Sequence, residues 1–179
     1  MRYIVIIAIA LLSALITGGV SPQLPIFGAE PDILLVAMLA MQLREKTLTP
    51  VIVCSVSAIF IDAFYAHAIG YYSLPYAVVG VIVFAIFRKR RMFIYAPSLI
   101  CAAAWLVKDV LSAVIAFFLG NSFDFSYIFV HSTLPGMLVN AVLIFPAYLL
   151  MLLLYKNNFM VPRSVGLSEE FPGLVKKRR

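Results

Sequence analysis

Asp32, Asp62, Lys108, Asp109 and Asn140 interrupt stretches of sequence that are otherwise apolar. A charged side chain at the centre of such a span costs about 3 kcal/mol on insertion scales, so these groups are expected to face protein or a water-filled pocket, not lipid. Buried acids and a base have three uses: an ion pair between helices, a relay for protons, or the lining of a small polar pocket. Lys108 and Asp109 are neighbours, so on a helix they point about 100° apart and cannot both face one spot. Lys108 is therefore expected to pair across helices, with Asp62 or with Asp32. Trp105, Asp109 and Ser112 recur at i, i+4 and i+7, a polar stripe turned toward another helix.

Catalytic patterns are missing around these residues. The chain has two histidines and no HExxH, GxSxG, Gly-rich phosphate loop or CxxC. Cys54 and Cys101 lie inside apolar runs without partners at metal-ligand spacing, which fits packing residues. The expectation is a protein that is not an enzyme, with no catalytic residues, no metal site and no cofactor.

The elements that must position these groups follow from composition. The 179 residues are 64% hydrophobic and only 12% charged, with a mean hydropathy of +1.04. Ordinary soluble domains carry about 25% charged residues, and so little polar surface could not cover a soluble core. The apolar runs are helical in length and do not alternate as barrel strands do. The expected fold class is all-α, a polytopic membrane protein with six transmembrane helices in one domain over residues 1–155. A flexible, basic cytoplasmic tail follows over residues 156–179.

Along the chain, Tyr3–Gly18 reads as an uncleaved first transmembrane helix. Pro22 and Pro25 then impose a loop or partly re-entrant segment. Pro31-Asp32 opens a second helix ending at Leu43, with the acid at the N-terminus, where an anion is favoured. That helix is too short to span about 30 Å alone at about 1.5 Å per residue, so Pro25–Glu30 should complete the crossing against protein. Further helices are expected over Leu48–Ala66, Ser73–Phe87 and Phe93–Leu119. The last starts between Ile128 and Leu134, runs to Tyr155 and is expected to kink at Pro146.

Six spans assign each loop to a side. Arg2, Arg44, Lys46, Arg88–Arg91, Lys156, Arg163 and Lys176–Arg179 fall on one side, and the three opposite loops contain no Lys or Arg. This is the positive-inside pattern with both termini cytoplasmic. The net charge of +6 is thus a topology and lipid-headgroup signal, pointing to anionic lipids at the basic clusters and away from nucleic acid. Counting about 1.5 Å per residue from the cytoplasmic ends puts Asp62, Lys108, Asp109 and Asn140 roughly 21–25 Å up and Asp32 about 16 Å up. A polar cluster or cavity in the outer half of the membrane is expected. On the first helix, Ala10, Ala14 and Gly18 form a small-xxx-small stripe, suited either to packing within the bundle or to docking a partner helix.

Taken in order, Pro31-Asp32-Ile33-Leu34-Leu35, then Asp62, Ile69-Gly70 and Gly80, then a last span with Asn140 and Pro146, resemble the rod shape-determining protein MreD family over roughly Tyr3–Tyr155. Where that family often has glycines before its acid, this chain has Ser55, Ser57 and Ala58, which are still small. The resemblance implies a multi-pass bacterial cytoplasmic (inner) membrane protein. It would act as a non-enzymatic scaffold of the rod or elongation complex (the elongasome), helping control lateral peptidoglycan synthesis and cell shape. Its implied partners are an MreC-like bitopic protein, the wall glycosyltransferase and transpeptidase, and MreB. MreD is itself similar to the substrate-binding (S) subunits of energy-coupling factor vitamin transporters. Those share an S-component-like bundle, an outward pocket and an A-x-x-x-A face that Ala10 and Ala14 fit. The alternative function is therefore such a transporter subunit. The short loops His67–Tyr72 and Leu119–Tyr127 leave only Gly19–Glu30 as a lid, which favours the scaffold.

Overall fold

The computed structural model describes residues 2–23, 25–26, 28–45, 47–65, 68–87, 96–120 and 129–156. Lys46, His67, Asp124, the Arg88–Arg91 cluster and the tail from residue 157 with its terminal basic tetrad lie outside them. Among the described residues the fold is all-helical. Helix α1 is Arg2–Leu15, and a π turn over Ile16–Val20 and a 3-10 turn over Ser21–Gln23 prolong it. Then come α2 (Ile33–Gln42), α3 (Thr49–Tyr65), α4 (Ser73–Phe87), α5 (Ala96–Phe118) and α6 (Leu134–Lys156), the last entered through a π turn over Phe129–Thr133. Three stretches are long and apolar enough to cross a membrane: Tyr3–Gln23, Ala96–Phe118 and Val130–Tyr155. The other three helices have 10 to 17 residues.

Helix α2 is the axis of the bundle. Its sequence, ILLVAMLAMQ, is apolar around the whole circumference, and such a helix has no solvent face to present. Nine consecutive residues, Leu34 to Gln42, are buried. Helix α2 packs on α1, α3, α4, α5 and α6. The outer helices follow one another in the order α1, α3, α4, α5, α6, each against the next. Their outward faces are apolar, with Ile4, Phe64, Leu99, Leu138 and Val142 all exposed, the surface that hydrocarbon accepts and water does not.

The first helical stretch goes further than the prolines suggest. Pro22 sits inside the 3-10 turn, and the helical backbone continues to Gln23. Proline is tolerated where the backbone N–H would have no helical partner. Pro146 lies within α6, which continues through it.

The stripe on α1 turns inward. Ala10, Ala14 and Gly18 are buried. At Gly18 a Cβ would stand 2.7 Å from the Tyr65 ring and 3.6 Å from Ile61, both on α3. These small residues let α1 approach α3 within the bundle. Of the two uses expected for the stripe, packing within the bundle is the one its burial fits.

Far from Asp32, the other end of α2 has its own polar contacts. Glu45 is buried and accepts hydrogen bonds from Tyr155 (2.8 Å) and Thr47 (3.0 Å). The Arg44 guanidinium lies 5.1 Å from the Tyr148 ring centre.

Helices α3 and α4 approach closely at Gly80, where a Cβ would lie 2.6 and 2.9 Å from the two methyl carbons of Val51. An unobstructed helical Gly→Ala change gains about 1 kcal/mol, whereas overpacking costs about 1–3 kcal/mol. Gly80→Ala is therefore expected to lower the unfolding temperature of the detergent-purified protein. Combined with Val51→Ala, it should cost less than the sum of the two single changes, as followed by circular dichroism.

Candidate polar site at the head of the central helix

A buried helix N-terminus exposes backbone N–H groups that no water reaches, and each needs an acceptor. In α2 the sequence supplies them. The Asp32 side chain caps the helix, its Oδ1 accepting from Leu35 N–H at 2.9 Å. The Leu34 N–H donates to Thr17 Oγ1 at 2.9 Å. One turn further along α1, the Ser21 hydroxyl donates to the Pro31 carbonyl. The end of the first helical stretch and the start of α2 are thus joined by two hydroxyls, Thr17 from the expected first helix and Ser21 from the expected loop.

The same carboxylate ties α2 to other helices. Asp32 Oδ2 accepts from Lys108 Nζ of α5 at 2.5 Å, an ion pair whose partners are 3% and 9% exposed. Asp32 Oδ1 also accepts from the Tyr76 hydroxyl of α4 at 2.6 Å. The Asp32 N–H donates to Asn140 Oδ1 of α6 at 2.9 Å, and Asn140 Nδ2 donates to the Gly136 carbonyl at 2.9 Å. The Lys108 ammonium lies 4.5 Å from the Trp105 ring centre and 5.2 Å from that of Tyr76, within cation–π range. A buried pair overcomes its desolvation cost only when further hydrogen bonds satisfy its remaining lone pairs. Asp32 meets that requirement with three donors and the positive end of α2.

Of the candidate partners for Lys108, the structure selects Asp32. Asp62, expected within the same cluster, is corrected: its carboxylate turns to the α3–α4 connection. It accepts from the backbone N–H groups of Gly70 (2.9 Å), Tyr72 (2.7 Å) and Ser73 (3.1 Å) and from the Ser73 hydroxyl (2.6 Å). Four donors compensate the buried charge. They fix a reversal that needs Gly70 at φ 103°, where a side chain would be strained. Asp109 is the second member to part company, accepting from the Thr133 hydroxyl beside the start of α6.

The stripe on α5 does face another helix, and it is longer than Trp105, Asp109 and Ser112. Ser98 donates to the Ala141 carbonyl at 3.0 Å, the Cys101 thiol to the Asn140 carbonyl at 3.3 Å, and Trp105 Nε1 to the Thr133 carbonyl at 3.2 Å. Gly136 leaves room for the indole, since a Cβ there would fall 2.5 Å from its ring. Ser112 is buried, and among the described residues its hydroxyl has no hydrogen-bond partner. Tyr76, Thr17 and Thr133 escape sequence reasoning. For Tyr76 a signal existed: a phenol in the first turn of an apolar helix must find an acceptor if buried.

Above the ion pair lies a cavity of about 350 Å³. The end of α1 (Thr17, Gly18, Ser21), the Glu30–Asp32 segment, Tyr65 of α3, Tyr72 of the turn, and Trp105 and Lys108 of α5 line it. Burial pushes the Tyr72 phenol up to about 12, with Tyr71 and the carboxylates of Glu30, Asp32 and Asp62 adding to the effect. Among the described residues, no three His, Cys, Asp or Glu side chains converge as a metal site would require. No protein-family model, curated protein or solved structure matches this chain.

The geometry separates two pairings. Breaking a buried pair from one side costs about 3–5 kcal/mol. Asp32→Asn and Lys108→Met are each expected to destabilise strongly, and their double-mutant cycle should yield a coupling above about 1 kcal/mol. The cycle between Asp62→Asn and Lys108→Met should add within about 0.5 kcal/mol. Both are read from thermal unfolding of the purified protein.

Proposed function

We propose that this chain is an MreD-like scaffold of a bacterial inner membrane, a non-enzymatic component of the machinery that elongates the cell wall. The observation that carries this reading is the construction of its centre. A short helix is enclosed by five others, and the carboxylate of its buried ion pair takes two further hydrogen bonds. Such a centre suits a rigid fitting for neighbouring membrane proteins better than a reaction site, because its buried carboxylate is already committed to the helices around it. The order of Asp32, Asp62, Gly80, Asn140 and Pro146 along the chain supports the family resemblance.

In this reading all six helices cross the membrane and both termini are cytoplasmic. Three helices have the length and apolarity for it. Helix α2, at about 15 Å, is too short to cross alone, and the segment before it is not packed against protein as expected: Ala29 is buried, whereas Pro25, Ile26, Gly28 and Glu30 are exposed. Basic residues at the cytoplasmic ends hold the orientation and touch anionic headgroups. The partner is an MreC-like bitopic protein, with the wall glycosyltransferase, the transpeptidase and MreB reached through the assembled complex.

The cavity beside Lys108 favours a second reading, the substrate-binding subunit of an energy-coupling factor vitamin transporter. Against it stands the burial of Ala10 and Ala14, the face by which such a subunit would dock. Affinity purification from the native membrane separates the two. The scaffold reading expects an MreC-like protein to co-purify and depletion to round and widen the cells. Recovery of an ATPase-linked transporter core or a stoichiometric vitamin, with cell width unchanged on depletion, contradicts it.

A further inference from the structure

The cavity above the ion pair is asymmetric in charge. At its floor, Lys108 carries three N–H donors. Among the described residues one hydrogen bond from its ammonium goes to Asp32, and the Trp105 and Tyr76 rings flank it. Donor capacity therefore remains on a side chain that is 91% buried and lines the cavity. At the other extreme, Glu30 lines the same cavity and is exposed. Tyr65, Tyr72 and Trp105 give aromatic walls between.

We infer that this cavity binds a small zwitterion, an anionic oxygen group on Lys108 and an ammonium toward Glu30. The charges lining the space are two carboxylates and one ammonium. A free anion would gain the Lys108 donors but meet the field of Asp32 and Glu30. A simple cation would be drawn to Glu30 but leave the Lys108 donors unanswered. A zwitterion answers both ends, and the aromatic rings favour the cationic end by cation–π attraction. At about 350 Å³ the space is near the lower limit for ligand pockets, so the occupant is headgroup-sized. A free solute and the headgroup of an ethanolamine phospholipid share this chemistry. The inference stands on the cavity and is independent of the scaffold reading.

Trp105 is the chain's single tryptophan and lines the cavity, so its fluorescence reports occupancy directly. The full-length protein in phosphatidylglycerol nanodiscs is titrated with sn-glycero-3-phosphoethanolamine, and in parallel with inorganic phosphate and with ethanolamine. The zwitterion is expected to change Trp105 emission saturably, at concentrations at least about tenfold below either fragment. Glu30→Gln, at an exposed position, should weaken the zwitterion about fivefold while the phosphate response is not weakened. Nanodiscs containing phosphatidylethanolamine identify the source. If their emission is already shifted and the titration silent, the occupant is a lipid headgroup; if they behave as phosphatidylglycerol discs do, it is a free solute. The inference is overturned if neither the solute nor the lipid alters Trp105 emission, if the fragments act as strongly as the zwitterion, or if Glu30→Gln responds as the wild type does.

Discussion

The fold depends on one carboxylate. Asp32 ends an irregular segment and begins a helix that has no polar face, so the N–H groups at that helix start have nowhere to turn but inward. Its side chain caps the helix, takes the ammonium of α5 and the phenol of α4, and its own N–H reaches α6. In water each contact would be worth about 1 kcal/mol. Where water is excluded, the loss of any one leaves a polar group stranded, at a cost of about 1–3 kcal/mol or more. The four helices are therefore fixed relative to one another at a single depth.

From that point the remaining architecture follows. Helix α2 must be short, because it starts in the interior, and apolar all round, because five helices enclose it. The outer helices can be apolar on both faces, inward against α2 and outward against lipid. Polar residues on them are confined to seams, as on α5, where Ser98, Cys101, Trp105 and Asp109 spend their donors and acceptors on α6. The ion pair also forms the floor of the cavity, so the group that holds the bundle together is the group an occupant would meet.

Much of this was legible in one dimension. Pro31-Asp32 before an unbroken apolar run reads as a helix start, and Asp32 caps it as read. Charged residues inside apolar spans point to a polar interior, and Asp32, Lys108 and Asn140 meet there. What sequence could not separate was the kind of partner each acid would find. Asp62 carries the same signature as Asp32, yet its donors are the N–H groups of the very next turn. Gly70 and Ser73, eight and eleven residues on, held that information. Small residues are equally ambiguous: Ala10, Ala14 and Gly18 permit close approach without naming the helix that approaches, and at Gly18 it is α3, through Tyr65 and Ile61. The hydroxyls of Thr17 and Ser21 were invisible as caps because the helix they serve begins more than ten residues later.

The central claim, that the Asp32–Lys108 pair anchors α2, is tested most directly by hydrogen–deuterium exchange on the peptide covering residues 33–42. In the wild-type protein in nanodiscs, these amides should exchange most slowly of the described helices. In Lys108→Met, protection over α2 should fall markedly while α3 around Cys54 and Ala58 keeps its own. Unchanged protection over α2 in that variant, or a uniform loss across every helix, would contradict the account.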